Sequence, residues 1–130
     1  MDGINITDIR DFVYSFIRDN VSRNIHMDVF PKSISSKEKK EGLVVLDFSN
    51  SISDLNAFGY GIIHVYLCSH NSDRGNVIGS MESSFNNALK AYLSNPSASL
   101  IELSPRNTYF EESAANSLKC CIKEIRLKIK

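Results

Sequence analysis

The sequence predicts a single α+β domain, residues 1–130, with a mainly antiparallel sheet of about five strands, two packed helices and a long exposed β-hairpin arm. Three observations lead to this prediction. Strand-like segments recur between Ile25 and Leu67, an amphipathic helix stands on either side of them, and a charged connection, 32–42, separates the first two. At 130 residues the chain can bury about two thirds of its unfolded surface without needing disulfides.

The overall composition excludes several classes of protein. Fifteen basic and fifteen acidic residues cancel, so no global field attracts nucleic acid or an anionic membrane. The three cysteines are an odd number, which argues against a disulfide framework and favours a reducing compartment. The acidic N-terminus is not typical of a secretory signal, and no apolar run approaches the roughly 20 residues that cross a bilayer. A soluble protein is expected.

The first predicted elements are a helix and a strand. From Thr7 to about Ser22, apolar residues recur at helical spacing on one stripe, with charged residues elsewhere. After Asn24 the period changes to two, which predicts a half-buried strand over Ile25 to Phe30 that stops at Pro31. The polar segment 32–42 is then interpreted as the exposed hairpin arm.

Two further strands follow the arm. Leu43 to Phe48 is apolar on both faces until Asp47, which predicts a central strand covered on both sides, by helices or by a neighbouring subunit. Ile62 to Cys68 is the third strand, entered through a Gly-Tyr-Gly step.

The last part of the chain predicts a second helix and a closing pair of strands. Helical spacing runs from Val77 to Leu93 and ends at Asn95-Pro96. A short strand over Ser99 to Leu103 is expected next, followed by a turn at 105–107. In the final strand the apolar alternation slips phase once, which predicts a β-bulge at Lys123-Glu124.

Candidate chemistry is sparse. Cys68-Ser69-His70 contains residue types that bind zinc or form a Cys–His nucleophile, but the spacing lacks the paired ligands of a zinc site, and a cysteine in an apolar strand is normally a buried hydrophobe. We therefore expect no catalytic residues, no metal and no cofactor. Lys37, Lys39 and Lys40 form a basic cluster, but interleaved glutamates and the lack of an aromatic platform argue against specific nucleic-acid binding, while leaving some contact open.

The remaining feature is the number of aromatic side chains in or beside predicted loops. Leftover aromatics next to an exposed arm are typical of a subunit interface, although loops folded back over the core explain them equally well. The interface candidates are Phe30, Lys37, Lys39, Lys40, Tyr109 and Phe110.

The order of elements resembles one family. Helix, three strands with a long first hairpin, helix and two closing strands make the sequence similar to the tail terminator, or tail completion, proteins that join head and tail in long-tailed bacteriophages. The residues that carry the resemblance are Val29-Phe30-Pro31, the arm 32–42, Leu43-Val44-Val45-Leu46 and Ile62 to Leu67. It covers nearly the whole chain as a pattern of elements, with weak sequence signatures.

The resemblance implies a virion protein assembled in the host cytoplasm. Its subunits would form a ring, commonly a hexamer, that caps the tail tube and joins it to a neck or head-completion protein. The arm would then contact a neighbouring subunit or the tube protein. Two other readings stay open: a small cytoplasmic adaptor or chaperone-like binding module that holds a peptide, and a small enzyme that uses Cys68 and His70.

Overall fold

A five-stranded sheet carries two long helices on one face and one short helix at its margin. The computed structural model describes residues 6–48, 57–94, 101–114 and 117–129. The elements follow in the order α1 (Ile6–Asn20), β1 (Ile25–Met27), α2 (Ser36–Glu41), β2 (Leu43–Asp47), β3 (Tyr60–His70), α3 (Asn76–Ser94), β4 (Ile101–Ala114) and β5 (Leu118–Ile129). The predicted α+β class with a mostly antiparallel five-stranded sheet is confirmed.

The strand order is β1-β2-β3-β5-β4, so β1 and β4 form the two edges. β1 pairs with β2 in parallel, and all other neighbours are antiparallel. β3 and β5 form the longest regular ladder, with pairs running from Tyr60 opposite Lys128 to His70 opposite Leu118.

The main core lies between the sheet and the two long helices, on what we call the helix face. Its apolar side chains come from α1, α3 and alternate positions of the strands. Phe16 of α1 makes edge-to-face contacts with Phe85 and Tyr92 of α3. Each large apolar side chain buried here contributes about 1.5–3 kcal/mol relative to exposure. The buried helix residues are Ile9, Val13, Ile17, Ile78, Met81, Phe85 and Leu89.

A smaller core covers one end of the opposite, second face of the sheet. Leu43 and Val45 of β2 pack there with Cys68, Leu118 and Cys120. Side chains from the segment after β1, including Phe30 and Ile34, cover this cluster. The predicted burial of β2 on both sides is confirmed, because its alternate residues Val44 and Leu46 belong to the main core.

β1 is shorter than the predicted strand over Ile25 to Phe30, because the chain turns at Asp28. This residue has a positive φ of 67°. Its carboxylate accepts hydrogen bonds from the Arg10 guanidinium at 2.8 Å and from the Phe48 amide at 3.1 Å. The polar contacts stabilise a left-handed conformation that asparagine and aspartate tolerate better than apolar residues, and the strand ends at Met27.

The segment 32–42 is exposed along most of its length, but it is not a hairpin arm, and this prediction was wrong in form. Residues Ser36–Glu41 form α2, which connects two parallel strands. A capping box starts the helix: the Ser35 hydroxyl accepts from the Glu38 amide at 3.1 Å, and the Glu38 carboxylate accepts from the Ser35 amide at 3.2 Å. Parallel strands cannot be joined by a tight turn, so the connection crosses over instead.

The expected turn at 105–107 is also wrong, because β4 continues through it. The pairing of β4 with β5 shifts register between Pro105 and Thr108, so these residues form an irregularity inside one 14-residue strand. Proline is tolerated there because an edge strand leaves one side of its ladder unpaired.

The bulge predicted at Lys123-Glu124 is absent from the described part of β5, whose pairing with β3 is regular throughout. The change of apolar phase has another cause. Leu118 and Cys120 face the small core, whereas Ile125 and Leu127 face the helices. The strand keeps its phase, and the face on which it is buried changes.

Lys123 lies at the point of β5 where the buried face changes, and it is only 7% exposed. Its ammonium contacts the Glu82 carboxylate of α3 at 2.7 Å and the Thr108 hydroxyl of β4 at 3.2 Å. The Cys121 thiol also donates to Glu82, at 3.2 Å. The hydrogen bond from Lys123 is the main reason that the pKa of Glu82 is lowered from its ordinary value.

Gly42 joins α2 to β2 at a point where a side chain cannot fit. Its φ is +82°, and a Cβ would come within 2.8 Å of Met81 and Val77 and within 2.9 Å of the Cys68 carbonyl oxygen. We expect Gly42→Ala to lower the free energy of unfolding by about 1–3 kcal/mol, measured by urea denaturation. Gly79→Ala is the matched control: it lies in α3 with open space around it and should stabilise by about 0.4–1 kcal/mol.

Glu82→Gln should destabilise the protein at neutral pH by about 1 kcal/mol, since it leaves the Lys123 charge without its anionic partner. The estimate is low for an ion pair because the Glu82 side chain is 38% exposed. A carboxyl with a lowered pKa stabilises the fold above its unfolded pKa of about 4.3, and this contribution is lost as the pH falls. The gap between the two proteins should therefore narrow below about pH 4. An equal gap at all pH values would contradict the role of this ion pair.

Candidate functional site

The six predicted interface residues fall into three places. Lys37, Lys39 and Lys40 lie on α2, which contacts β1 and β3, and are exposed; we call them the α2 lysines. Tyr109 and Phe110 lie on β4, an edge strand of the sheet. Phe30 lies in the segment after β1 that covers the second face of the sheet, and it is half-buried. Phe30 and the three lysines were chosen for their position in or beside the segment 32–42. In the structure Phe30 packs on the small core, whereas the lysines are exposed on α2.

Polar contacts attach α2 to β1 and to the residue just before it. His26 of β1 contacts the carboxylate of Glu38. The Asn24 side-chain amide donates to the Gly42 carbonyl oxygen at 3.0 Å and to the Glu41 carboxylate at 3.4 Å. Partial burial favours the neutral form of Glu38, but hydrogen bonds from His26 and Ser35 outweigh it and lower the pKa of this carboxyl. Both glutamates of α2 are therefore engaged within the chain.

The α2 lysines have no such partners. In the described ranges, 6–48, 57–94, 101–114 and 117–129, none of the three forms an ion pair. Since α2 carries three lysines and two glutamates, its net charge is positive.

The position of Phe30 is explained by packing within the chain. Its ring packs edge-to-face on Tyr66 of β3, with centroids 5.1 Å apart and planes at 74°. It belongs to the side chains that cover the small core around Leu43 and Cys68. This contact fixes the path of the chain from β1 towards α2.

The β4 edge is long and exposed. All seven residues from Pro105 to Glu111 are exposed, including Tyr109 at 48% and Phe110 at 59%. The register shifts on either side leave Thr108 to Glu111, which we call the β4 stretch, as a regular run paired with β5. Because Tyr109 pairs with Ile122 of the second face and Phe110 with Cys121 of the helix face, the two aromatic rings lie on opposite faces of the sheet.

Natural proteins usually shorten, cover or charge an edge strand, because its unpaired backbone groups can pair with another chain. The proline and the register shifts protect the first part of β4 in this way. The β4 stretch carries only one charge, Glu111, beside two exposed aromatic rings. It therefore has the composition of an interaction surface.

A polar network on the second face was missed by the sequence analysis. His64 of β3 lies 3.3 Å from the Glu124 carboxylate of β5. Arg106 and Asn107 of β4 contact the other oxygen of Glu124 at 3.5 and 3.1 Å. These residues become neighbours only through strand pairing, so spacing along the sequence carries no sign of them. The network attaches the irregular part of β4 to the sheet.

Exposed apolar side chains also occur elsewhere. Val29 and Phe58 are each 69% exposed, and Phe58 lies beside the half-exposed ring of Tyr60. Val29 belongs to the predicted strand over Ile25 to Phe30, but β1 ends at Met27, before the turn at Asp28.

The histidines and cysteines do not come together as a reactive pair. The Cys68 thiol lies 2.8 Å from the Cys120 thiol in the small core, while the His70 ring bonds to the Ser72 hydroxyl at 2.6 Å. His26 and His64 are each beside a glutamate. Among the described residues, no group of three or more histidine, cysteine or acidic side chains is placed to hold a metal ion.

The thiols are buried, and the pKa values of Cys68 and Cys121 are raised. The hydrogen bond with Cys120, together with burial, raises the pKa of Cys68 far above that of an ordinary thiol. Burial is the main reason that the pKa of Cys121 is raised to about 11. Because the thiolate is the reactive form, these cysteines are poor nucleophiles. In the parts of the chain that are described, no helix is both long and apolar enough to span a bilayer.

Native protein at neutral pH should react with a maleimide at least about 100-fold more slowly than the unfolded chain, because all three thiols are buried. The matched control is Asn87→Cys, which places a thiol at an exposed position of α3 and should label rapidly. Fast labelling of Cys68 in the native protein would restore the case for a Cys–His enzyme.

A scan of known protein-family models finds no match to this chain, and neither does a search of functionally characterised proteins or of solved structures.

Proposed function

We propose that the protein is a structural virion subunit, similar in role to phage tail terminators, that assembles through the edges of its sheet into a ring on the tail tube. The proposal extends the resemblance in element order. Its main support is the β4 stretch, an exposed edge with two aromatic side chains and little protection against pairing.

The mechanism of such a subunit is steric capping. Each copy contacts its two neighbours head to tail, through two different surfaces. Such copies close into a ring when a whole number of the rotations between neighbours makes one full turn. The ring would bind the last layer of tail-tube protein with one side and present a neck or head-completion protein with the other. No residue needs to perform chemistry, and the buried thiols and engaged histidines agree with such a role.

A second function uses the same observation. An adaptor or chaperone-like module could bind an extended peptide as a sixth strand beside β4, with main-chain hydrogen bonds for affinity and Tyr109 or Phe110 for side-chain contacts. This reading needs no ring. It predicts a monomer or dimer that gains a partner peptide.

The proposal predicts a ring in solution or on tail tubes. Light scattering over a range of protein and salt concentrations should give a mass of about six copies, and negative-stain images should show particles with a central hole. Phe110→Ser should shift the mass towards the monomer, because it removes an exposed ring from the β4 stretch.

Leu93→Ser is the control, since Leu93 is 45% exposed but lies on α3 rather than on a sheet edge. If the protein alone is monomeric, the same imaging is done after mixing with tail tubes, whose ends should acquire a ring. A stable dimer with no rings in either experiment would contradict the terminator role and favour the adaptor.

A further inference from the structure

Two of the exposed charged surfaces that form no ion pair in the described ranges have opposite signs: the α2 lysines, on a helix that contacts both β1 and β3, and Glu111 on the edge strand β4. We infer that the α2 lysines of one copy contact Glu111 and the exposed rings of the β4 stretch on the next copy, so that α2 and the β4 edge form the two halves of one interface. The inference rests on the proposed ring and assigns its contact surfaces.

The two surfaces lie at the same level of the sheet. Leu43, the residue directly after Gly42 at the end of α2, is opposite Cys68. Cys68 is opposite Cys120, and Cys120 is opposite Glu111. This row crosses four strands, about 14 Å at the usual strand spacing. If neighbouring copies are related by a rotation axis roughly along the strands, then surfaces at one level meet.

The charges of the two surfaces are complementary. α2 presents three exposed lysines and carries two glutamates, one of which contacts His26, so its net charge is positive. In the described part of the chain, Glu111 is exposed and forms no ion pair. Contact between two α2 helices would bring lysines together, whereas contact between α2 and the β4 stretch joins opposite charges. The charges thus favour a head-to-tail contact over a symmetric one.

The apolar parts also match. Tyr109 and Phe110 are large rings that stand out from the edge, and lysine side chains have long hydrocarbon stems that can cover such rings while the ammonium groups stay hydrated. An ammonium over an aromatic face adds a cation–π attraction. A lysine-rich helix is therefore a suitable partner for an aromatic edge that also carries a carboxylate.

The test is zero-length crosslinking with a carbodiimide, which joins a lysine amine to a carboxylate only when the two are in contact. Unlabelled and ¹⁵N-labelled protein are mixed, and crosslinked peptides are identified by mass spectrometry, so that mixed-isotope pairs report contacts between copies. We expect amide bonds from Lys37, Lys39 or Lys40 to Glu111, with a yield that falls several-fold at about 0.5 M salt because screening weakens the attraction.

Glu111→Gln should abolish this crosslink, and Glu111→Lys should weaken self-association in sedimentation experiments by about tenfold. Glu102→Gln is the matched control, because Glu102 lies on the same strand at its other end. Failure of the α2 lysines to crosslink to Glu111 between copies would overturn the inference. So would crosslinks from these lysines to other carboxylates at a similar yield, if they persist in Glu111→Gln.

These outcomes are separate from those of the proposed function. Rings without the crosslink would keep the terminator role and reject these surfaces. The crosslink in a protein that forms no rings, alone or on tubes, would keep the contact and reject the ring.

Discussion

The ladder between β3 and β5 is the constraint on which the rest of the structure depends. Its eleven registered pairs have no irregularity and position both faces of the sheet. One set of alternate residues supports the long helices, and the other supports the small core under Phe30. The position of β4, and with it Glu111 and the exposed rings, follows from pairing with β5. The position of α2 follows from β2, which pairs with β3.

Sequence periodicity was sufficient for the elements whose burial is simple. Both long helices and the third strand agree with their apolar repeats to within a few residues, because one stripe or one face of each is buried. β5 could not be interpreted in this way, since it is buried on different faces at its two ends. The segment before β2 was misjudged for another reason: its charged residues indicated exposure, but the capping box at Ser35 and Glu38 decided its conformation.

The candidate surfaces were predictable only as residue types. Lysines in a polar segment and aromatics near a predicted turn can be recognised without a structure, and their role in an interface stays a prediction. That α2 and Glu111 lie at one level of the sheet depends on strand order, and strand order depends on contacts distant in sequence. The network around Glu124 shows the same limit, because His64 and Asn107 reach it from two different strands. The parallel pairing of β1 with β2 could not be predicted either, because apolar and polar residues alternate in the same way in parallel and antiparallel strands.

The strand order also affects geometry beyond a single copy. Adjacent strands rotate by about 20–25°, so the four steps from β1 to β4 turn the two edges by roughly 80–100° relative to each other. A backbone ladder that continued from β4 into β1 of another copy would extend this rotation and produce a coiled ribbon. A contact through the α2 lysines would instead join neighbours by side chains and not by backbone pairing. The curvature of such an assembly would then depend on the conformations of these side chains and not on the twist of the sheet.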